Sequence, residues 1–596
     1  MTKRYMKPAL LATGLALVLT ACGGGSGGGD SKPEEPSNPP TASGNISGVA
    51  AAGAPLAGTV TVKDANGVTR SVPVGADGQY TVDVTGLTPP FLFRADGMVG
   101  GKRYVIHSAA LQADVGGNIN ITPLTDLIIA NIAGDLAANF FDAPQFASLT
   151  PAAVTEQTAA LKARLQSVLS ALGIEDTIDL LRTSFQADHS GLDAALDILR
   201  VTVDPETQVA TIRNVLTQEE IQDQLTSTTD NSALPAPGDL GGVVTDLQGI
   251  EAAFQRFNAL FANGLPTADA VKAELSADFR HEDQNRDTFA ADVSSDPTNI
   301  GISFSGMTLE GPVQTSAEGT FVRVGFVVKL KNGLLESMET GWRLQKVTTG
   351  DQTRWLLHGN RGRFSAEAYP LALRNEVNGA VSYHTGMEFW IEDPNTTNDR
   401  GVIAYALVKG PGLPAGGVRF VPQSVGGQFC LESAQQPCGT LVELPDSAIA
   451  QVKDNSVYAF EFYTTTGQQV AITDNSNAQY RTVIKRPYTG AELSQIAWPA
   501  LDGATRSALA SFAGGPFSVT ASYPAGFAYG IDVSYGTASG FSERLDQWTY
   551  PSTATVTEGF DFDPAPAADP VTWRMVKLDY NDNQLRNVLS IYRFQQ

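Results

Sequence analysis

Short stretches in which apolar and polar residues alternate, cut by turn-forming dipeptides, dominate both ends of the chain. Thr59-Val60-Thr61-Val62-Lys63 and Gln79-Tyr80-Thr81-Val82-Asp83-Val84 repeat at every second position, with Asn66-Gly67 and Asp77-Gly78 between them. A period of two puts one face of a strand against a core, and Asn-Gly or Asp-Gly supplies the positive φ of a tight hairpin. Residues 45–108 are therefore expected to form a small β-sandwich. The period then lengthens. Thr122-Pro123 and Thr150-Pro151 set a hydroxyl cap before a proline at the first helical position, and Leu161, Leu165, Val168, Leu169 and Leu172 share one helical face ahead of Gly173. Residues 109–226 are expected to be a helical domain with a short hairpin at 199–203 and 208–214.

Residues 227–242 carry STTDNSALPAPGDLGG, the composition of a linker. Beyond it Leu247, Ile250, Phe254, Phe257, Leu260 and Phe261 recur at helical intervals, with further helices expected at 267–276 and 285–293. Strand patterns follow at 301–309, 320–330, 335–347 and 353–360. Helices followed by a long antiparallel sheet predict an α+β unit over 243–365 whose sheet curls around the helices. From 366 onward the chain returns to strands and turns, as in GMEFWIE and YAFEFY, and two β-sandwiches are expected, at 366–490 and 491–596. The fold class is multi-domain and mainly β with α+β: an N-terminal small sandwich, a helical segment, a cone-shaped α+β domain and a C-terminal antiparallel sandwich region.

The 596 residues allow several domains, and 58 Gly with 33 Pro fit a turn-rich body. A formal charge of -23 argues against nucleic acid as a partner. Lys3, Arg4 and Lys7 precede a mostly apolar run from Ala9 to Ala21, too short for a spanning helix, so residues 1–21 read as a signal peptide. Residues 22–44, GGG-rich and then Pro-rich, bury too little to fold and form a tether with a reach of roughly 25 to 30 Å. Cys430 and Cys438 lie close enough for a local disulfide, and the pair is too isolated for a zinc site, which needs four ligands.

Leu19-Thr20-Ala21-Cys22 resembles the bacterial lipobox, which implies acylation of Cys22 as the first mature residue. Gly23 and Gly24 differ from the Asp that retains such lipoproteins at the inner membrane, so the resemblance implies the outer membrane, on the periplasmic or the surface side. GVAAAGAPLAGTVTVKDANG with GADGQYTVDVTGL resembles the carboxypeptidase regulatory-like domain, a structural module without peptidase residues. DFRHEDQNRDTFAADV, ESMETGWRLQKV and TRWLLHGNRG resemble the cone fold of nuclear-transport-factor-like and ketosteroid-isomerase-like domains. FSVTASYPAG loosely resembles a fibronectin type III-like module.

Outside the Gly-rich tether no Gly-x-Ser-x-Gly elbow occurs, no His-Glu-x-x-His helix, Walker loop or Cys-x-x-Cys pair occurs anywhere, and the chain has only 5 His. The densest polar cluster, residues 280–287, contains His281 and Asp283. With Trp342 and His358 these would form a ligand site if they point into the cone. His189, beside Asp188 and Asp193, would need two more converging ligands to hold a metal and reads as a loop or cap residue. Asp64 to Gly67, and the Asp393, Asn395, Asn398 and Asp399 group, read as turns rather than calcium loops. Phe389, Trp390, Trp498, Trp548 and Trp573 are core or sugar-stacking residues.

The expected role is non-catalytic binding or scaffolding by a lipid-anchored cell-envelope protein without cofactor or metal. Its partners would be the membrane, through the lipid, and an envelope protein or glycan. The alternatives are small-ligand binding or isomerase- or hydrolase-like activity in the cone, and a carbohydrate-binding surface protein.

Overall fold

The alternation at the start of the chain becomes a two-layer sandwich because the buried positions of its strands all face one way. In the computed structural model, which describes residues 41–226, 232–238, 240–282, 284–393, 403–423, 427–435, 438–472, 478–549, 554–566 and 568–596, Asn45–Val49 pairs with Gln79–Asp83. Opposite lie Thr69–Pro73, Ala57–Lys63, Phe91–Val99 and Lys102–Ala110, in that order. Ile46, Val60, Val62, Val82, Phe91 and Phe93 meet between the layers. Asp64 closes the first hairpin by accepting the amides of Asn66 and Val68 at 2.9 and 2.8 Å, and Gly67 sits at φ 82. Asp64 to Gly67 is therefore a turn.

Both capped helices form. Thr122 accepts from the Thr125 amide at 3.2 Å, and helix Pro123–Ala133 stops at left-handed Gly134. Helix Pro151–Ala171 buries Val154, Leu161, Leu165, Val168 and Leu169. The hairpin gains a third strand, Glu220–Gln224, giving Leu199–Asp204, Val209–Asn214 and Glu220–Gln224. Its sequence EIQDQ offers a single apolar residue, so the period of two is invisible there.

The 227–242 segment departs from the linker expectation over its described part. Leu234 is buried, its amide donates to the Arg164 carbonyl at 3.0 Å, and the Arg164 guanidinium bonds the Ser232 carbonyl and, at 2.9 Å, Asp223. Turn-rich composition marks a lack of regular structure, not a lack of packing. The helical segment and the cone also share one apolar core, which runs from Leu127 and Leu165 through Phe254 to Trp342. They form a continuous body.

In the cone, helix Gly241–Phe261 lies in the curl of a sheet ordered Ser303–Leu309, Gly319–Lys329, Leu335–Thr349, Gln352–Gly359, with Gln314–Ser316 on an outer edge. Its apolar stripe supplies Phe254, Phe257 and Phe261. Phe254 meets Phe326 at 5.0 Å, Phe257 stacks on Phe304 at 4.9 Å, and Phe326 meets Trp342 edge-on at 5.2 Å. Such offset and edge-to-face contacts are the favoured aromatic geometries.

The last third is mainly β, but it is not two separate sandwiches. One seven-stranded sheet runs Leu441–Glu443, Ala380–Glu392, Ser365–Val377, Asn587–Gln595, Val571–Asn581, Tyr529–Thr537, Ser542–Thr549, and so crosses the expected division at residue 490. The C-terminal strand inserts parallel to Ser365–Val377, with Leu371 opposite Asn587 and Val377 opposite Arg593. Every other pair in this sheet is antiparallel. One face is apolar. Its halves are covered by a five-stranded sheet around Phe389, Phe420 and Phe460, and by a three-stranded sheet around Val519, Val533 and Val576.

Cys430 and Cys438 are bonded at 1.95 Å. Closing so short a loop contributes about 2–3 kcal/mol in the chain-entropy model. Replacing both cysteines by serine should lower the thermal midpoint and leave the far-ultraviolet circular dichroism unchanged; an unaltered midpoint contradicts this.

Candidate functional site

The residues expected to converge inside the cone are divided between its two sides. Trp342 is 2% exposed, and its indole N–H donates to Glu339 at 2.8 Å. The His281 ring lies 4.6 Å from the Trp342 ring, and burial pushes its imidazole down to about 4. His358 is buried on the other side of the sheet, 2.8 Å from the Ser276 hydroxyl and against Phe321. It borders a separate cavity of about 780 Å³ with Arg323, Arg343 and Arg361. Asp283 lies outside the described residues, as do Cys22, Asn395, Asn398 and Asp399. The interior of the cone is occupied by the aromatic stack.

A different site comes from the second face of the seven-stranded sheet. The strands that put Phe389, Ile391, Ile531, Val533, Val576 and Leu578 in cores put Glu388, Trp390, Asp532, Lys577 and Asp579 on the reverse. Cross-strand register gathers them. Glu367 opposes Trp390 and Tyr369 opposes Glu388 on one half, while Asp532 opposes both Lys577 and Asp546 on the other. The start of cone strand Leu335–Thr349 and the end of strand Ala478–Val483 stand opposite this face, leaving a cleft of about 610 Å³. That size falls in the range of small-molecule sites.

Two indoles mark its ends. Trp390 is on strand Ala380–Glu392 and Trp548 on strand Ser542–Thr549, five inter-strand steps apart, about 24 Å across the strands at about 4.8 Å per step, and they are offset along the strands as well, because the register places Trp548 in line with His384 rather than with Trp390. Trp548 lies flat over Gly530: a Cβ there would come within 2.8 Å of the indole and 2.4 Å of Asp579. Gly530 therefore makes room for the ring in the cleft wall.

The charges are predominantly acidic. Glu339, Glu367, Glu388, Asp532, Asp546 and Asp579 face Arg481, Arg544 and Lys577. Arg481 pairs with Glu282 and stands 3.5 Å from Glu367. Burial lifts the Glu367 carboxyl to about 7, with Arg481 opposing the shift and Glu282 adding to it. Burial also raises Glu388, against the Thr440 hydroxyl that donates to it at 2.7 Å and the charge of Lys577. Arg544 pairs with Asp532. This arrangement suits a neutral or cationic polar ligand and repels phosphates and other anions.

Sequence reasoning named Trp390 and Trp548 but not the carboxylates between them. Their only signal is a polar residue at each alternate strand position, which also describes any solvated sheet face. Among the described residues, His189, Asp193 and Asp197 form a group able to hold a metal ion, well apart from the cleft in sequence and in the fold.

No family model matches the chain. No curated protein matches it. Among solved structures, a match covers 92% of this chain and 98% of the tetra-tandem repeat in the extending region of a large adhesion protein, at 6% identity and a TM-score of 0.12. At that score the two chains do not superpose, so the match bears on neither fold nor function.

Glu367 generates a pH prediction. Its native form keeps a proton up to about 7, whereas an ordinary glutamate releases it near 4.5. Between those values the native state binds more protons than the unfolded chain, so stability falls as pH rises through the window and levels off above it. Glu367→Gln should make that decline shallower, read as urea midpoints at about pH 5 and about pH 8. An unchanged difference between the two midpoints contradicts the assignment.

Proposed function

We propose that this chain is a lipid-anchored protein of the bacterial cell envelope. Acylated Cys22 holds it at the outer membrane, and its body binds an extended polar ligand, best fitted by a neutral or amino-bearing glycan, without transforming it. The supporting observation is the polar sheet face with an indole at either end. Flat rings offer stacking surfaces to sugar faces, and carboxylates between them accept hydrogen bonds from hydroxyl or ammonium groups. A separation of at least about 24 Å, the across-strand component alone, favours a chain of rings over a single one. The cone reading is less well supported, because aromatic side chains fill the space a small ligand would need.

Anchoring rests on the sequence around Cys22. Among the described residues no helix is long and apolar enough to cross a membrane. Cys22→Ala should move the protein out of the membrane fraction, and globomycin should block its processing; retention of the variant in membranes would overturn the anchor.

For the cleft, a glycan array probed with the soluble body should give binders whose affinity drops about tenfold, about 1.4 kcal/mol, in Trp390→Ala and again in Trp548→Ala. Each bound glycan should be recovered intact. Binding indifferent to both substitutions, or a cleaved glycan, would defeat the proposal.

A further inference from the structure

The sequence places His189, Asp193 and Asp197 at intervals of four, and helix Gly191–Ile198 turns that spacing into one face. His189 sits just before the helix at a left-handed φ of 62°, which folds its ring back over the first turns. Its Nδ1 lies 2.9 Å from Asp197 Oδ2, and its backbone amide donates to Asp193 Oδ2 at 2.8 Å. One oxygen of each carboxylate is thereby engaged. The other, Oδ1 in both residues, is buried without a hydrogen-bond partner, although Asp193 is 0% and Asp197 2% exposed.

Two bare carboxylate oxygens in one dry pocket call for a cation. Beyond the His189 imidazole, whose Nδ1 is already engaged with Asp197 Oδ2, the protein supplies little for that purpose. Arg200, whose charge acts on Asp197, commits its guanidinium to the Tyr104 hydroxyl at 2.9 Å and the Leu309 carbonyl at 2.8 Å. The remaining neighbour is acidic: Glu251 of helix Gly241–Phe261 stands 3.8 Å from His189 Nε2. The N-terminal sandwich reaches the same place at Gly53, where an added Cβ would stand 3.2 Å from Asp197 Oδ1. One ligand atom from each of the three residues lies within 4.8 Å of the others.

We propose that His189, Asp193 and Asp197 bind one divalent cation of the zinc or manganese class, which pins the turn at His189 onto helix Gly191–Ile198, where the helical segment meets the N-terminal sandwich at Gly53 and the cone at Glu251. An imidazole with carboxylates suits these ions, whereas calcium takes six to eight oxygens and copper(I) favours sulfur. Binding to the native state alone makes stability depend on free metal.

The test uses the untagged mature chain in detergent, stripped with EDTA, dialysed against Zn²⁺, Mn²⁺ or Ca²⁺, and measured for metal content and thermal midpoint. Zn²⁺ or Mn²⁺ should be retained at one equivalent and should raise the midpoint, and both effects should vanish in Asp197→Asn. No retained metal in the unsubstituted protein overturns the proposal, leaving an imidazolium–carboxylate pair. So does retention unaffected by Asp197→Asn, or binding of Ca²⁺ alone. Should that variant fail to fold, nitrogen NMR of His189 in the unsubstituted protein decides: added metal must shift a ring-nitrogen resonance, and an unmoved spectrum overturns the site.

Discussion

Arg481 sits where the five-stranded sheet meets the cone and the seven-stranded sheet, and its charge is answered from the other two. It projects from strand Ala478–Val483 of the five-stranded sheet, pairs with Glu282 of the cone, and stands 3.5 Å from Glu367 of the seven-stranded sheet. Its side chain is only 14% exposed. A guanidinium removed from water is tolerated only while its partners stay in place, and removing one member of such a group leaves the rest as uncompensated buried charge. Gln479, two residues earlier, holds the Phe364 carbonyl at 3.0 Å, and Asn360 accepts the Glu282 amide at 2.9 Å, so the seam is also fixed through the backbone. The cleft is what this seam leaves open beside it, with Arg481 lining one wall.

A string of independent modules would present a changing surface, because relative domain motion is the default where interfaces are small. This body is built otherwise. A single apolar core passes from the helical segment into the cone, and a single sheet passes through what would have been two C-terminal units. A cleft formed between such pieces is shaped by the packing around it, which would lower the ordering cost of the proposed binding. The same continuity gives the His189 cluster its meaning, since that pocket is bounded by the sandwich at Gly53 and by the cone helix at Glu251.

Much of this was legible in the pattern of residues, and the exceptions have physical causes. Local periodicity found the capped helices, the cone strands and the strands carrying Phe389 and Phe460, because each element declares its buried face within a few residues. Strand Glu220–Gln224 escaped because it has one apolar residue. The parallel pairing of Ser365–Val377 with Asn587–Gln595 joins positions more than two hundred residues apart, and no local signal encodes a partner at that distance. The cleft carboxylates were hidden for a related reason: Glu388 and Asp532 alternate with core residues, and the sequence does not say whether the face they occupy meets water or another sheet. The interval of four from His189 through Asp193 to Asp197 is present in the residues, but only the helix Gly191–Ile198 brings Asp197 back to the histidine.

Packed around Arg481, the cone and the C-terminal sheets should unfold as one cooperative unit. Differential scanning calorimetry of residues 41–596 tests it directly. One transition is expected, with calorimetric and van't Hoff enthalpies that agree, split into separate transitions by Arg481→Ala. Resolved transitions already present without the substitution, and unmoved by it, would contradict it.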